Sequence, residues 1–238
     1  MSGVLYLLPC GLAESQSLAT LPASTLEVAR RTTRFLAENA KSARAFLKEI
    51  GHPVPLRELE IIEIGHEPAP AAVEAWLAPV MNGHDTAIIS EAGCPGIADP
   101  GALIVAHAHR RGVKVQPLVG PSSILLALMA SGMNGQAFRF VGYLPQDAAA
   151  LATRLKELEV AVRRGETQVF IETPYRNERL FDALLATCAP ATRLAVAIDL
   201  TSGAEVTATR SIAEWRTQPR PALSKRPAVF SLSAPPSR

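Results

Sequence analysis

Cysteine is scarce in this chain. Cys10, Cys94 and Cys188 are the only three, they lie far apart, and none falls in a metal-binding or redox spacing. That excludes a disulfide framework and points to a reduced, cytoplasmic protein. Long apolar runs are missing too. The most hydrophobic one, Ile124-Leu125-Leu126-Ala127-Leu128-Met129, falls far short of the roughly 20 residues a spanning helix needs. The apolar start Val4-Leu5-Tyr6-Leu7-Leu8 has no basic stretch before it and is too short for a signal peptide, so Leu7-Leu8-Pro9-Cys10 is not read as a lipoprotein site. No membrane partner is expected.

Charge of one sign is not in excess either. The net charge is +2. Ten basic residues face 12 acidic ones up to Gly120, and 14 face 10 after it. So mild a tilt argues neither for nor against a polyanionic partner. The chain contains no G-x-x-x-x-G-K-[ST] and no G-x-G-x-x-G, which removes the usual nucleoside-triphosphate and dinucleotide readings. A metal site is not expected. His107 and His109 sit two apart in a helix and face different ways, and His52, His66 and His84 have no paired partner.

What the chain has is apolar residues, 48% of 238, enough for one large core or two ordinary ones. Strands and helices alternate. Strands are expected at Val4–Leu8, Arg34–Glu38, Leu59–Ile64, Thr86–Ser90 and Val113–Val119, with helices starting near Pro22 and over Lys41–Ile50, Ala71–Met81 and Ala102–Arg111. This rhythm implies a mainly parallel sheet. Beyond Gly120 the pattern predicts helices over Ser123–Ser131, Ala148–Arg164 and Asn177–Thr187, and strands at Phe138–Tyr143 and Thr167–Glu172. The end is richer in strands, Leu194–Leu200, Glu205–Thr209 and Ala228–Leu232, joined by short turns that suggest antiparallel pairing. The expected fold is α/β, with two α/β lobes over residues 1–119 and 120–238. The first sheet should be mainly parallel and the second mixed.

The densest stretch is Ser90-Glu91-Ala92-Gly93-Cys94-Pro95-Gly96-Ile97-Ala98-Asp99-Pro100-Gly101, which leaves a buried strand and enters a helix. Glycines there permit positive φ and close backbone approach to a ligand, and prolines stiffen the loop. Ligands of open α/β sheets sit beyond the carboxyl ends of strands, where this loop lies. Val119-Gly120-Pro121-Ser122-Ser123 stands between the next strand and helix, with serines that can cap the helix or meet a ligand carboxylate. Glu38-Asn39-Ala40-Lys41 and Glu172-Thr173-Pro174-Tyr175-Arg176 put ionisable side chains at two more strand ends. Each of these could equally begin a helix on a solvated face.

Taken in order, Val4–Pro9, Glu38–Lys41, Ser90–Gly101, Gly120–Ser123, Phe140–Pro145 and Glu172–Arg176 resemble the tetrapyrrole methylase superfamily, the class III S-adenosylmethionine-dependent methyltransferases. The likeness runs from Val4 to about Leu200. It is closest to the ribosomal RNA small subunit methyltransferase I branch, which methylates a ribose 2′-hydroxyl of 16S ribosomal RNA. Ser90–Gly101 is similar to that branch's S-D-A-G-T-P-G-I-S-D-P-G, and Gly120–Ser123 to its G-P-S-A. The resemblance implies S-adenosyl-L-methionine in a cleft between the lobes, and a homodimer. It implies cofactor contacts from Pro9, Gly93, Cys94, Gly96, Ile97, Ser122, Ser123, Thr173, Leu200 and Thr201.

Departures concern the acceptor. Cys94 replaces the Thr of the RNA branch and the Asp frequent in tetrapyrrole enzymes, Leu8–Leu12 replaces A-T-P-I-G-N-L, Glu38–Lys41 replaces E-D-T-R, and Tyr175 replaces the His of E-S-P-H-R. The chain ends soon after Lys225-Arg226-Pro227, without the C-terminal extension common in the RNA enzymes. A paralogue with another acceptor would look like this. Three functions are therefore carried forward: ribose methylation of ribosomal RNA within the 30S subunit, methylation of a tetrapyrrole or other small molecule, and a non-catalytic S-adenosylmethionine-binding module. A ribose hydroxyl is a poor nucleophile, so Glu38, Lys41, Glu172 and Arg176 are the catalytic candidates, Glu38 and Lys41 first. Arg176, Arg179, Lys225 and Arg226 are the expected phosphate contacts if RNA is the acceptor.

Overall fold

The computed structural model describes residues 2–65 and 67–235, so His66 lies outside the described residues. The chain divides into two compact units, Met1–Ser122 and Ser123–Arg238.

In the first unit β1 (Val4–Leu8), β2 (Arg34–Ala37), β3 (Glu60–Glu63), β4 (Thr86–Ile89) and β5 (Lys114–Pro117) form one sheet. Its order is β3-β2-β4-β1-β5, and every pairing is parallel. Side chains alternate across the pleat. Tyr6, Leu8, Phe35, Ala37, Ala87 and Ile89 enter one core with α2 (Ala23–Arg31) and α3 (Ala40–Glu49). Leu5, Leu36 and Ile88 enter the other with α4 (Pro70–Met81) and α5 (Gly101–Arg110). The topology explains the split. From β1 and β2 the chain steps toward one edge of the sheet, from β3 and β4 toward the other, and right-handed crossovers of opposite direction place their helices on opposite faces. Asn39 starts α3 by accepting hydrogen bonds at Oδ1 from the backbone N–H of Lys41 (2.9 Å) and Ser42 (3.2 Å). The one buried cation of the sheet is satisfied: Arg34 pairs with Glu60 at 3.0 Å and donates to Trp76 O and Thr86 Oγ1.

In the second unit β6 (Phe138–Tyr143), β7 (Thr167–Ile171), β8 (Arg193–Ile198), β9 (Val206–Ser211) and β10 (Ala228–Ser233) form a mixed sheet of order β6-β7-β10-β8-β9. Only β6 and β7 run parallel as neighbours; β10 is antiparallel to both β7 and β8, and β9 to β8. One face packs on α7 (Ala148–Arg163) and α8 (Asn177–Thr187) through Leu155, Leu158, Phe181 and Leu184 against Phe170, Val196 and Phe230. Against the other lies α6 (Ser123–Ser131).

Three short elements went unread in the sequence: α1 (Ser17–Thr20), a 3-10 turn at Leu56–Glu58, and α9 (Ile212–Thr217). The last corrects the expectation that short turns join the final strands. A helix and a loop carry the chain from the edge strand β9 back to β10 at the centre of the sheet. Its signal was present as Ser211-x-x-Glu214, a capping box in which the Ser211 hydroxyl accepts from Glu214 N and the Glu214 carboxylate accepts from Ser211 N.

Candidate active site

Because the first sheet is wholly parallel, the carboxyl ends of β1, β2, β4 and β5 share one edge. The loops that leave them are tied together. The Cys10 N–H donates to Gly93 O at 2.9 Å, joining the β1 and β4 loops. The Cys94 thiol donates to Pro121 O at 3.4 Å, joining the β4 and β5 loops. Gly120 closes the triangle, since a Cβ there would stand 2.3 Å from Pro9 Cβ, and only a glycine lets the two loops approach so closely. Pro9, Gly93 and Cys94 thus come together with Gly120 and Pro121. Burial pushes both the Cys10 and Cys94 thiols above the ordinary cysteine range, so neither is an activated nucleophile.

The 90–101 loop is wound tightly. Gly93 and Gly96 have φ of +69° and +83°, and Ala98, with a side chain, is held at +60°. Such strain persists only where surrounding contacts over-determine it. Asp99 supplies them. Its Oδ1 accepts from Gly96 N and Gly101 N, each at 2.7 Å. Its Oδ2 is buried without a hydrogen-bond partner. Ile97 and Val119 are 53% and 70% exposed on flanking loops, which leaves two large apolar side chains at the same edge. The stretches singled out in the sequence include Ile97, Asp99 and Val119, but only Ile97 was among the implied cofactor contacts; Asp99 and Val119 were not. Asp99 was legible in principle, as the acid of a D-P-G entering a helix.

Burial raises the Asp99 pKa above the carboxylate norm, against the two N–H donors that lower it. With the folded value above the unfolded one, the contribution of this group to stability is full at low pH and falls as pH rises through the folded pKa. Asp99→Asn keeps an acceptor for both N–H groups and removes the titration. Denaturant melts across the acid range are expected to show wild type losing ground to the variant as pH increases, then levelling off. A difference that does not change with pH rules this out.

Glu38 and Lys41 stand at the end of β2 on the same sheet edge. Glu38 is half-buried and Lys41 is exposed in the first turn of α3. In the second unit, β7 and β8 run in the same direction on either side of β10, so Thr173 and Leu200-Thr201 leave a common edge. The buried Glu172 accepts at Oε1 from Thr173 N (2.6 Å), Arg176 Nε (3.0 Å) and Arg176 Nη2 (2.5 Å). That pair is closed on itself.

The 199–205 turn is equally constrained. Asp199 and Thr201 have φ of +47° and +69°, Leu200 is buried, and the Thr201 hydroxyl is buried with no partner. Arg226 holds the turn: Nε meets Asp199 Oδ2 at 2.6 Å, Nη2 donates to Ala204 O and Nη1 to Ala222 O. Arg176 and Arg226, expected as phosphate contacts, are therefore engaged internally, and Arg179 donates to Gln146 O. Ser122 and Ser123 flank the junction of the two units. Among the described residues no group of three or more His, Cys, Asp or Glu could hold a metal.

The family model for tetrapyrrole (corrin/porphyrin) methylases matches residues 17–215. The chain is 33% identical over 204 residues to a ribosomal RNA small subunit methyltransferase I of Xylella fastidiosa, spanning 85% of this chain and 71% of that one. Against the protein of the same name from Bacillus subtilis it is 31% identical, spanning 76% of this chain and 59% of that one. Two solved structures share the fold. Uroporphyrin-III-C-methyltransferase from Thermus thermophilus has a TM-score of 0.58 at 18% identity, covering 98% of this chain and 93% of that one. The methyltransferase CobJ has a TM-score of 0.64 at 16% identity, covering 98% and 95%. The chain belongs to the tetrapyrrole methylase family and is an S-adenosylmethionine-dependent methyltransferase.

Proposed function

We propose that the chain transfers the methyl group of S-adenosyl-L-methionine to a ribose 2′-hydroxyl of 16S ribosomal RNA, as a cytoplasmic homodimer. The observation that carries the acceptor is the 33% identity, over 85% of the chain, to a relative named for small-subunit ribosomal RNA. The likeness to tetrapyrrole enzymes is one of fold, at 16–18% identity. Among the described residues no helix is long and apolar enough to cross a membrane.

The residues present suit the cofactor. A Cβ at Gly96 would meet no atom within 4 Å, so backbone is open to a ligand there. Within the first unit Ile97 and Val119 offer apolar contact beside Pro9, Gly93, Cys94 and Ser122; within the second the unpartnered Thr201 hydroxyl offers a hydrogen bond beside Ser123, Thr173 and Leu200, and both groups are assigned to the cofactor on the family resemblance. When bound, the cofactor supplies an electrophilic methyl on sulfur, open to in-line displacement. The chain must align an acceptor oxygen with it, an effect worth about 7–11 kcal/mol at ideal geometry. It must also help remove the hydroxyl proton, worth roughly 10²–10⁴ in rate. Glu38 is our base and Lys41 the cation that would stabilise developing alkoxide. Glu172 and Arg176 are assigned second place, because their charges offset one another.

Transfer of labelled methyl to intact 30S subunits, with none to uroporphyrinogen, is the expected result. Label in uroporphyrinogen alone reassigns the acceptor to a small molecule, and label in neither points to a binding module. Light scattering should report twice the 25.3 kDa chain mass; a monomer at micromolar concentration removes the dimer.

A further inference from the structure

We propose that the exposed face of α3 is the surface along which this enzyme holds the phosphate backbone of its RNA acceptor, a proposal that rests on the RNA reading above. The four exposed positions of α3 are Lys41, Arg44, Ala45 and Lys48. Every charged side chain on that face is a cation. Lys41, Arg44 and Lys48 fall at i, i+3 and i+7, one stripe about 10 Å long at 1.5 Å per residue.

None of the ion pairs among the described residues includes any of the three. Arg44 reaches only the neutral carbonyl of Ala40. The helix's one carboxylate, Glu49, faces away and accepts from Ser17 N and Oγ at 2.6 and 3.0 Å. A helix that merely faces water does better with mixed charge, as α7 does by pairing Arg154 with Glu157 at 2.8 Å. Like charges three and four apart on α3 instead repel one another. A chain of net charge +2 has no general surplus of cations to explain this.

Position adds to the case. The first turn of α3 adjoins Glu38 at the sheet edge where the β1, β4 and β5 loops meet. At its far end the stripe continues into α2, which packs on the same face of the sheet. There Arg30 donates to Ile50 O and Arg31 to the Tyr6 hydroxyl, so both keep their charge beside neutral partners. Glu27 is the one exposed carboxylate of α2. Five cations thus line a path from the candidate site across one face of the first unit. A polyanion fits it through release of condensed counterions.

The test uses the full chain carrying Arg44→Ala and Lys48→Ala, which leaves Lys41 in place. Alanine is the best helix former and relieves the repulsion, so the fold should hold. The control, Lys156→Ala with Arg163→Ala, removes the same net charge from the exposed face of α7. Binding to intact 30S subunits is measured from about 50 to 200 mM salt, and S-adenosylmethionine binding by calorimetry. Losing two phosphate contacts should lower the slope of log affinity against log salt by about 1.4, about sevenfold less loss over that range. Cofactor binding should not change, and the control should keep the wild-type slope. The proposal is overturned, with the RNA reading intact, if wild type methylates 30S subunits and the α3 variant keeps its slope or the control falls equally. If wild type neither binds nor methylates 30S subunits, the RNA reading fails and takes this surface with it.

Discussion

Replacing Gly96 with valine is expected to abolish S-adenosylmethionine binding while leaving a folded protein. Gly96 has a φ of +83°, a region that β-branched residues enter only as outliers. Its N–H is one of two held by Asp99 Oδ1, so a backbone that rotates toward negative φ also releases the contact that organises the loop. A Cβ at this position would meet no protein atom within 4 Å. The substitution therefore collides with nothing inside the fold, and its damage falls on loop conformation and on space left to a ligand. We expect calorimetric affinity for S-adenosylmethionine and S-adenosylhomocysteine to weaken by at least about 100-fold, or roughly 2.8 kcal/mol, with an unchanged far-ultraviolet circular dichroism spectrum. Gly96→Ala should lose less, because it carries the φ penalty without the branched side chain. A folded Gly96→Val protein that binds as wild type does would remove the 90–101 loop from the cofactor site.

The sequence made some of this loop visible and hid the rest, and the difference is physical. Glycines at 93 and 96 are legible because positive φ selects for them, and both take it. The parallel sheet was legible from alternating apolar periods, and β1, β6, α6 and α8 begin and end where the pattern placed them. What stayed hidden depends on contacts between residues far apart in the chain. Nothing near Gly120 announces that Pro9 lies against it. Nothing near Arg226 announces that Asp199 is its partner, 27 positions away. Ala98, Asp199, Thr201 and Lys225 hold positive φ without being glycine, so composition gives no sign of the strain; side-chain hydrogen bonds within the turn accompany it at Ala98 and Thr201, and long-range hydrogen bonds at Asp199 and Lys225. The same blindness affected the basic residues. The charge tilt drew attention to the second half of the chain, whereas the cations without carboxylate partners on α3 lie in the first.

The adjacent residues Lys225 and Arg226 should respond in opposite directions, although in sequence they form one basic pair. Lys225 has a φ of +58°, and the Lys225→Gly variant relieves that strain, with an expected gain of up to about 1 kcal/mol offset in part by the greater freedom of glycine in the unfolded chain. Arg226 is a hub: its side chain engages Asp199, Ala204 O and Ala222 O, and its own carbonyl accepts from Asn177 Nδ2 at 2.7 Å. The two charged side chains are only 25% and 19% exposed. Arg226→Ala strands a mostly buried carboxylate, while Ala204 O and Ala222 O lie on exposed residues and can turn to water; we place the loss at about 2–4 kcal/mol, toward the level seen when a buried pair is broken from one side. Since the turn it holds carries Thr201, cofactor affinity should fall with stability. Removing both basic residues together would thus report on folding before it reported on RNA. Urea denaturation of the two single variants decides the matter: Lys225→Gly at or above the wild-type midpoint and Arg226→Ala well below it is the expected result. Equal midpoints for the two would mean that the Asp199 contact does not hold the 199–205 turn in solution.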